Sequence, residues 1–223
     1  VSKIHLLVEY YTIDVPDRQA ELDYCLIHNI QNKNIDFVHI FGQINVDESM
    51  SDSKVIVNYR DNRTTYRDYF EYSMTIPDGD LIIISNSDIY FDDTLNLLHL
   101  HLTPDNAFAL TRWDDLKNQG HRMVDGKFVP HFNSQASHDV WALKTPVKNI
   151  SDMHVDFNLG TYACDNVVAY QLSNYGEYLV SNPSYDIRCY HMHKSGYRTY
   201  SSTEPVPGIR MDVPLTYLYN MGE

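Results

Sequence analysis

Positive charge is scarce in this chain. Lys and Arg total 17 against 30 Asp and Glu, a formal charge of −13. Nucleic-acid phosphates repel so acidic a surface, which argues against a DNA or RNA partner. Cysteine is also sparse. Cys25, Cys164 and Cys189 are odd in number and widely spaced, so they spell neither a disulfide framework nor a zinc pattern. A reducing compartment is the simpler expectation. No run approaches the roughly 20 apolar residues that span a bilayer, so no membrane span is expected. The first residues enter a strand-like run without a signal-peptide layout, which gives a cytoplasmic reading. Three common chemical signatures are missing as well: the phosphate loop, the Gly-x-Gly-x-x-Gly turn and the Gly-x-Ser-x-Gly elbow.

What is present is an ordinary globular composition. Hydrophobic residues make up 43% of the 223 positions, and aromatics reach 13% through 18 Tyr. The length suits a single domain with a real core. Tyrosine joins an apolar face to a polar tip, which suits half-buried strands and equally a wet cleft that stacks rings and donates hydrogen bonds.

The first half alternates strand-like and helix-like runs, the pattern of an α/β fold with a mainly parallel sheet. Ile4 to Tyr10 reads as a strand. Pro16 to Ile30 reads as a helix, with Ala20, Leu22, Leu26, Ile27 and Ile30 toward one face. Phe37 to Phe41 and Val55 to Asn58 read as strands. Thr64 to Met74 reads as a helix faced by Tyr66, Tyr69, Phe70 and Met74. Leu81 to Ile84 is a run of branched aliphatics, as in a central strand buried on both faces. Asp92 or Asp93 offers a cap for a helix through Leu98, and Ala107 to Leu110 is a further strand. The second half is mixed. Asp125-Gly126 signals a hairpin, Val140 to Leu143 a strand, and Cys164 to Leu172 a helix stopped by Gly176. Tyr178 to Val180 and Ile187 to His193 read as strands. A proline-bearing strap closes the chain, compatible with a linker to further domains.

Ser85-Asn86-Ser87-Asp88 follows the buried strand directly. Ligands in open parallel sheets bind beyond the carboxyl ends of strands. Asn86 and Asp88 lie two apart on an extended segment, so both side chains can face one cation. A helix-capping Asp would look the same locally. His191 and His193 alternate in the same way, and imidazole favours Mn²⁺ or Zn²⁺ over Mg²⁺. Lys194 and Arg198 follow, with charge to hold a phosphate or simply to face solvent. Asp165 at a helix start serves as either a cap or a base. Asp139 sits beside Trp141 and has the same two readings.

Together these segments resemble the GT-A class of nucleotide-sugar glycosyltransferases. Ser85 to Phe91 is similar to that class's Asp-x-Asp segment with Asn86 in first place. Cys164-Asp165-Asn166 is similar to its Glu-Asp pair with Cys replacing Glu. His191-Met192-His193 matches a late histidine ligand. More narrowly, Val8 to Tyr11, Ser137 to Trp141, His193 and Arg198 resemble small GT-A domains of bacteria and large DNA viruses, including chlorovirus domains implicated in capsid-protein glycosylation.

The resemblance implies one GT-A-like, Rossmann-like domain over 1–223. Its mostly parallel central sheet is flanked by helices. Residues 1–115 bind the nucleotide sugar, and 116–223 form a mixed acceptor-side half that completes the metal site. It implies transfer from a nucleoside-diphosphate sugar, by analogy a UDP-sugar, to a hydroxyl of a glycan or glycoprotein, with inversion. The cation, Mn²⁺ or Mg²⁺, falls to Asp88 with Asn86, His191 and His193. The catalytic base falls to Asp165, with Asp139 as rival. Donor contacts fall to Tyr11, Arg60, Arg63, Ser87, Arg112, Lys194 and Arg198. A virus would place the activity in host cytoplasm. Two alternatives are a non-catalytic sugar-binding module on the same fold and a metal-dependent phosphohydrolase. Glu9-Tyr10-Tyr11 after the first strand disfavours the second.

Overall fold

A computed structural model of the chain describes residues 2–43, 50, 52–114, 123–124, 127–128, 130–131, 135–197 and 204–218. The strands are β1 (Ile4–Glu9), β2 (Phe37–Gly42), β3 (Val55–Tyr59), β4 (Leu81–Ser85), β5 (Ile89–Phe91), β6 (Asn106–Leu110), β7 (Trp113–Asp114), β8 (Met123–Val124), β9 (Lys127–Phe128), β10 (Val140–Lys144), β11 (Leu179–Ser181) and β12 (Cys189–His191). The helices are α1 (Pro16–Gln31), α2 (Tyr66–Ser73), α3 (Leu98–His101) and α4 (Cys164–Asn174). A 3₁₀ turn over Asp93–Leu97, capped by Asp92, leads into α3.

Seven strands form the central sheet in the order β11-β6-β10-β4-β1-β2-β3. The pairs β1–β2, β1–β4, β2–β3 and β6–β11 are parallel; β10 alone runs against both of its neighbours. The fold is therefore the mostly parallel, helix-flanked α/β class expected from the alternating pattern. The sheet is buried on both faces. Ile4, Leu6, Val8 and Ile83 pack with Leu22, Leu26 and Ile30 of α1. Leu7, Ile82 and Ile84 pack on the other side with Tyr66, Tyr69 and Phe70 of α2 and with Val168 and Leu172 of α4. Each such large side chain taken from water adds about 1.5–3 kcal/mol, which is why β4 needs an unbroken aliphatic run. α2 is set by a capping box in which Thr65 and Asp68 satisfy each other's backbone N–H. Pro16 opens α1, as its fixed φ favours.

Several expectations from periodicity are corrected. The buried stripe of α1 is Arg18, Glu21, Leu22, Cys25, Leu26, Asn29 and Ile30, and Ala20 is exposed. Met74 lies beyond the end of α2 and is 57% exposed, while Ser73 takes the buried position. The last strand is shorter than Ile187 to His193, ending at His191. That strand belongs to a three-stranded sheet, β5-β12-β7, whose other two members are three and two residues long and leave no pattern in the sequence. β8 and β9 pair antiparallel around Asp125-Gly126, which themselves lie outside the described residues. The three cysteines are buried, and none is in a disulfide. Among the described residues, no helix is long and apolar enough to cross a membrane.

Candidate functional site

Register brings the site together. Val8 pairs with Ser85, Ser85 with Val140, and Val140 with Leu110. The residues that follow or precede these positions therefore emerge at one edge of the sheet. Glu9, Asn86, Asp139 and Arg112 meet there and line a cleft of about 500 Å³. The same cleft is lined by Tyr11, Arg18, Arg63, Ser87, Asp88, Asp165, His191 and His193. Its size is that of ordinary small-molecule sites.

The small sheet delivers the histidines. His191 pairs with Ile89 on one side and with Asp114 on the other. The backbone N–H of Met192 then donates to the Asp88 carbonyl at 2.9 Å. This clamps His191 and His193 against the buried Asp88. His191 Nε2 lies 3.2 Å and His193 Nδ1 3.4 Å from Asp88 Oδ2. One ligand atom from each of the three falls within 4.8 Å of the others, as a shared cation requires. One carboxylate and two imidazoles suit Mn²⁺ or a similar borderline ion better than Mg²⁺. His191 Nδ1 is held in turn by Asp114 at 3.3 Å, an outer carboxylate of the kind that orients metal-binding imidazoles. Asn86 lines the same cleft. Its amide nitrogen donates to Asp139 Oδ1 at 2.9 Å.

Cations dominate around Asp88. Arg18 Nη2 reaches Asp88 Oδ2 at 2.6 Å, and Arg18 Nη1 reaches Glu21 at 2.9 Å. Burial alone would push the Asp88 carboxyl up, but His191, His193 and Arg18 outweigh it and hold it well below the usual carboxylate range. Burial likewise opposes charge on His191, yet Asp88 and Asp114 raise it to about 8.

The other side of the cleft differs. Asp139 is bound by Arg112 Nη1 at 2.9 and 3.0 Å and by Asn86, so its oxygens are already engaged. Asp165 is the second residue of α4, whose N-cap Ala163 is left-handed at φ 65°. A left-handed non-glycine backbone costs free energy and recurs at functional sites. No cation pairs with Asp165 among the described residues. It accepts long hydrogen bonds from the Cys164 thiol at 3.3 Å and the His138 N–H at 3.4 Å. Burial and then the Asp139 charge push its pKa up to about 7.

Of the expected donor residues, Arg63 reaches the cleft, paired with Glu9 Oε2 at 3.2 Å and bonded to the Leu159 carbonyl at 2.8 Å. Ser87 Oγ donates to the Glu9 carbonyl at 2.7 Å. Tyr11 and Arg112 line the cleft, while Arg60 and Lys194 do not. Arg60 packs over the Phe41 ring at 6.0 Å, and Lys194 is exposed. Arg198 lies outside the described residues. The sequence reading passed over Arg18 and Glu21. Their signal was two charges at i, i+3 on the core-facing stripe of α1, where apolar residues are the rule.

The sequence matches no protein-family model and no curated protein. The fold does have solved counterparts. One is "Mannosyltransferase PcManGT from Pyrobaculum calidifontis in complex with GDP-Man and Mn2+", at TM-score 0.53 and 14% identity, covering 87% of this chain and 58% of that one. Another is residues 1–349 of S. aureus TarS, at TM-score 0.50 and 13% identity, covering 85% of this chain and 60% of that one. The chain thus spans about three fifths of either counterpart, and at these identities the likeness is one of fold.

Proposed function

We propose that this chain is a cation-dependent glycosyltransferase that moves a sugar from a nucleoside-diphosphate donor to a hydroxyl acceptor. The observation that carries the reading is one cleft holding two opposed devices. Asp88, His191 and His193 converge within it, and Asp165, whose pKa burial and Asp139 raise to about 7, lines it as well. The fold shared with a mannosyltransferase solved with GDP-Man and Mn²⁺ supports the same class.

In this reading Asp88, His191 and His193 would hold Mn²⁺, which when bound would supply positive charge beside the donor's diphosphate. The whole chain acts as one domain, with the donor on the 1–115 half. Arg63 and Tyr11 face the nucleoside, uridine by the sequence resemblance. Arg112 adds fixed charge and keeps Asp139 in place as a positioning partner. Asp165 accepts the proton of the acceptor hydroxyl. The acceptor oxygen forms its bond to the anomeric carbon as the carbon–oxygen bond to the diphosphate breaks, so configuration inverts. The narrower reading of a viral, cytoplasmic enzyme acting on a glycoprotein rests on sequence likeness.

A thermal-shift and calorimetric screen of UDP- and GDP-sugars, with Mn²⁺ or with chelator, tests this. The expected result is a stabilising donor that needs Mn²⁺, with nucleoside diphosphate released on turnover and inverted product by NMR. A donor that binds but never releases diphosphate would make the chain a binding module. No donor binding with any cation would overturn the reading.

A further inference from the structure

Arg18 is the least exposed arginine lining the cleft among the described residues. Its side chain is 8% exposed and sits between two carboxylates buried to a similar degree, Asp88 at 10% and Glu21 at 6%. The guanidinium occupies Asp88 Oδ2, the same oxygen that faces His191 and His193. A divalent ion at the triad would therefore share one carboxylate oxygen with a permanent positive charge in a poorly solvated site. Like charges that close repel strongly where water cannot screen them. The two arms of Arg18 have separate partners, Nη2 on Asp88 and Nη1 on Glu21. Nη2 can therefore leave Asp88 while Nη1 stays.

Glu21 is built to hold its place. Its Oε1 accepts the backbone N–H groups of Lys194 and Ser195, and its Oε2 accepts Arg18 Nη1 and Ser195 Oγ. One α1 carboxylate thus fixes both the arginine and the segment that carries His193.

We propose that Arg18 is a displaceable counter-ion: it neutralises Asp88 while the triad is empty and competes with the cation for that carboxylate, then turns about Glu21 toward the donor's diphosphate. This rests on the cation reading above. It makes cation binding weak without donor and stronger with it, since a diphosphate gives the displaced guanidinium a new anion.

Mn²⁺ alone, titrated into donor-free full chain and followed by electron paramagnetic resonance, tests it. Arg18→Met removes the competitor and should tighten Mn²⁺ by about tenfold or more. Glu21→Gln keeps an oxygen for the two backbone N–H groups but leaves Arg18 with Asp88 as its one carboxylate, so Mn²⁺ should bind more weakly than in the wild type. Opposite signs from two neighbouring α1 residues are not what a general loss of structure gives. If Arg18→Met does not fold, Arg18→Lys, too short to hold both carboxylates, should still tighten Mn²⁺ by about threefold. Unchanged or weaker Mn²⁺ affinity in a folded Arg18 variant overturns the proposal and leaves the cation reading intact. Failure of wild type and variants alike to bind Mn²⁺ overturns both.

Discussion

Asp88 and Asp165 line the same cleft, and their surroundings drive them in opposite directions. Asp88 is ringed by Arg18, His191 and His193, which keep it ionised despite burial. Asp165 has burial and the Asp139 charge against it, and a thiol, one backbone N–H and the charge of Arg112 in its favour, which leaves its pKa raised to about 7. A carboxylate locked in its charged form suits a cation. One poised near neutrality suits a proton. When one site pulls two like groups apart in this way, the separation fits the roles proposed for them, cation ligand for Asp88 and proton acceptor for Asp165.

The largest effect should come from breaking the proton-accepting side. Asp165→Asn keeps the shape and removes the base, so kcat should fall by about 10²–10⁴ while donor affinity in Mn²⁺ stays near wild type. Single-turnover kinetics beside donor calorimetry checks both halves. If Asp139→Asn gives that signature instead, the comparison has been drawn between the wrong pair. Breaking the other side should act on binding. Asp88→Ala removes the carboxylate that the histidines converge on, and Mn²⁺-dependent donor affinity should fall by about 100-fold. Cation-independent donor binding at full strength in that variant would remove Asp88 from the site.

How much of this was legible beforehand depends on distance along the chain. The β4 run and the polar segment after it are local, and their pattern announces a strand end with a site beyond it. The His-x-His pair was visible as chemistry. Its meeting with Asp88 depends on how β12 pairs with β5 and β7, and those two strands are too short to produce a readable period. Arg18 was hidden for another reason. On a helix whose other buried positions are mostly apolar, a charged residue reads as surface until its partner 70 residues away is known. Asn86 illustrates the reverse case. Its position in the motif suggested a ligand, and the fold gives its amide to Asp139.

A finer test moves Asp165 without removing it. Its folded pKa lies above the ordinary Asp value of 3.8. The folded chain therefore keeps a proton that the unfolded chain releases between about pH 4 and 7, and stability falls as pH rises through that window. The base is competent only when ionised, so kcat should fall about tenfold per unit below pH 7. Asp139→Asn deletes the negative neighbour and leaves Arg112 facing the site. The acid limb should then move down by about one pH unit. The limb staying near 7 would mean that Asp139 does not govern it.

Cys164 gives the smallest effect and the most local one. Its thiol is a weak donor to Asp165 Oδ1 at 3.3 Å. Cys164→Ser puts a stronger donor of similar size at the same place. Hydrogen bonds to the charged form favour it, so the acid limb should drop by a few tenths of a unit. Cys164→Ala removes the donor and should raise the limb by a similar amount, with a small loss of Tm from the vacated volume. The two variants differ from wild type by one atom or one group, and their opposite signs in a kcat–pH profile would tie the poise of Asp165 to its immediate neighbour. Shifts of the same sign in both would place the control of that carboxyl in the bulk of the cleft, with Asp139 and burial alone.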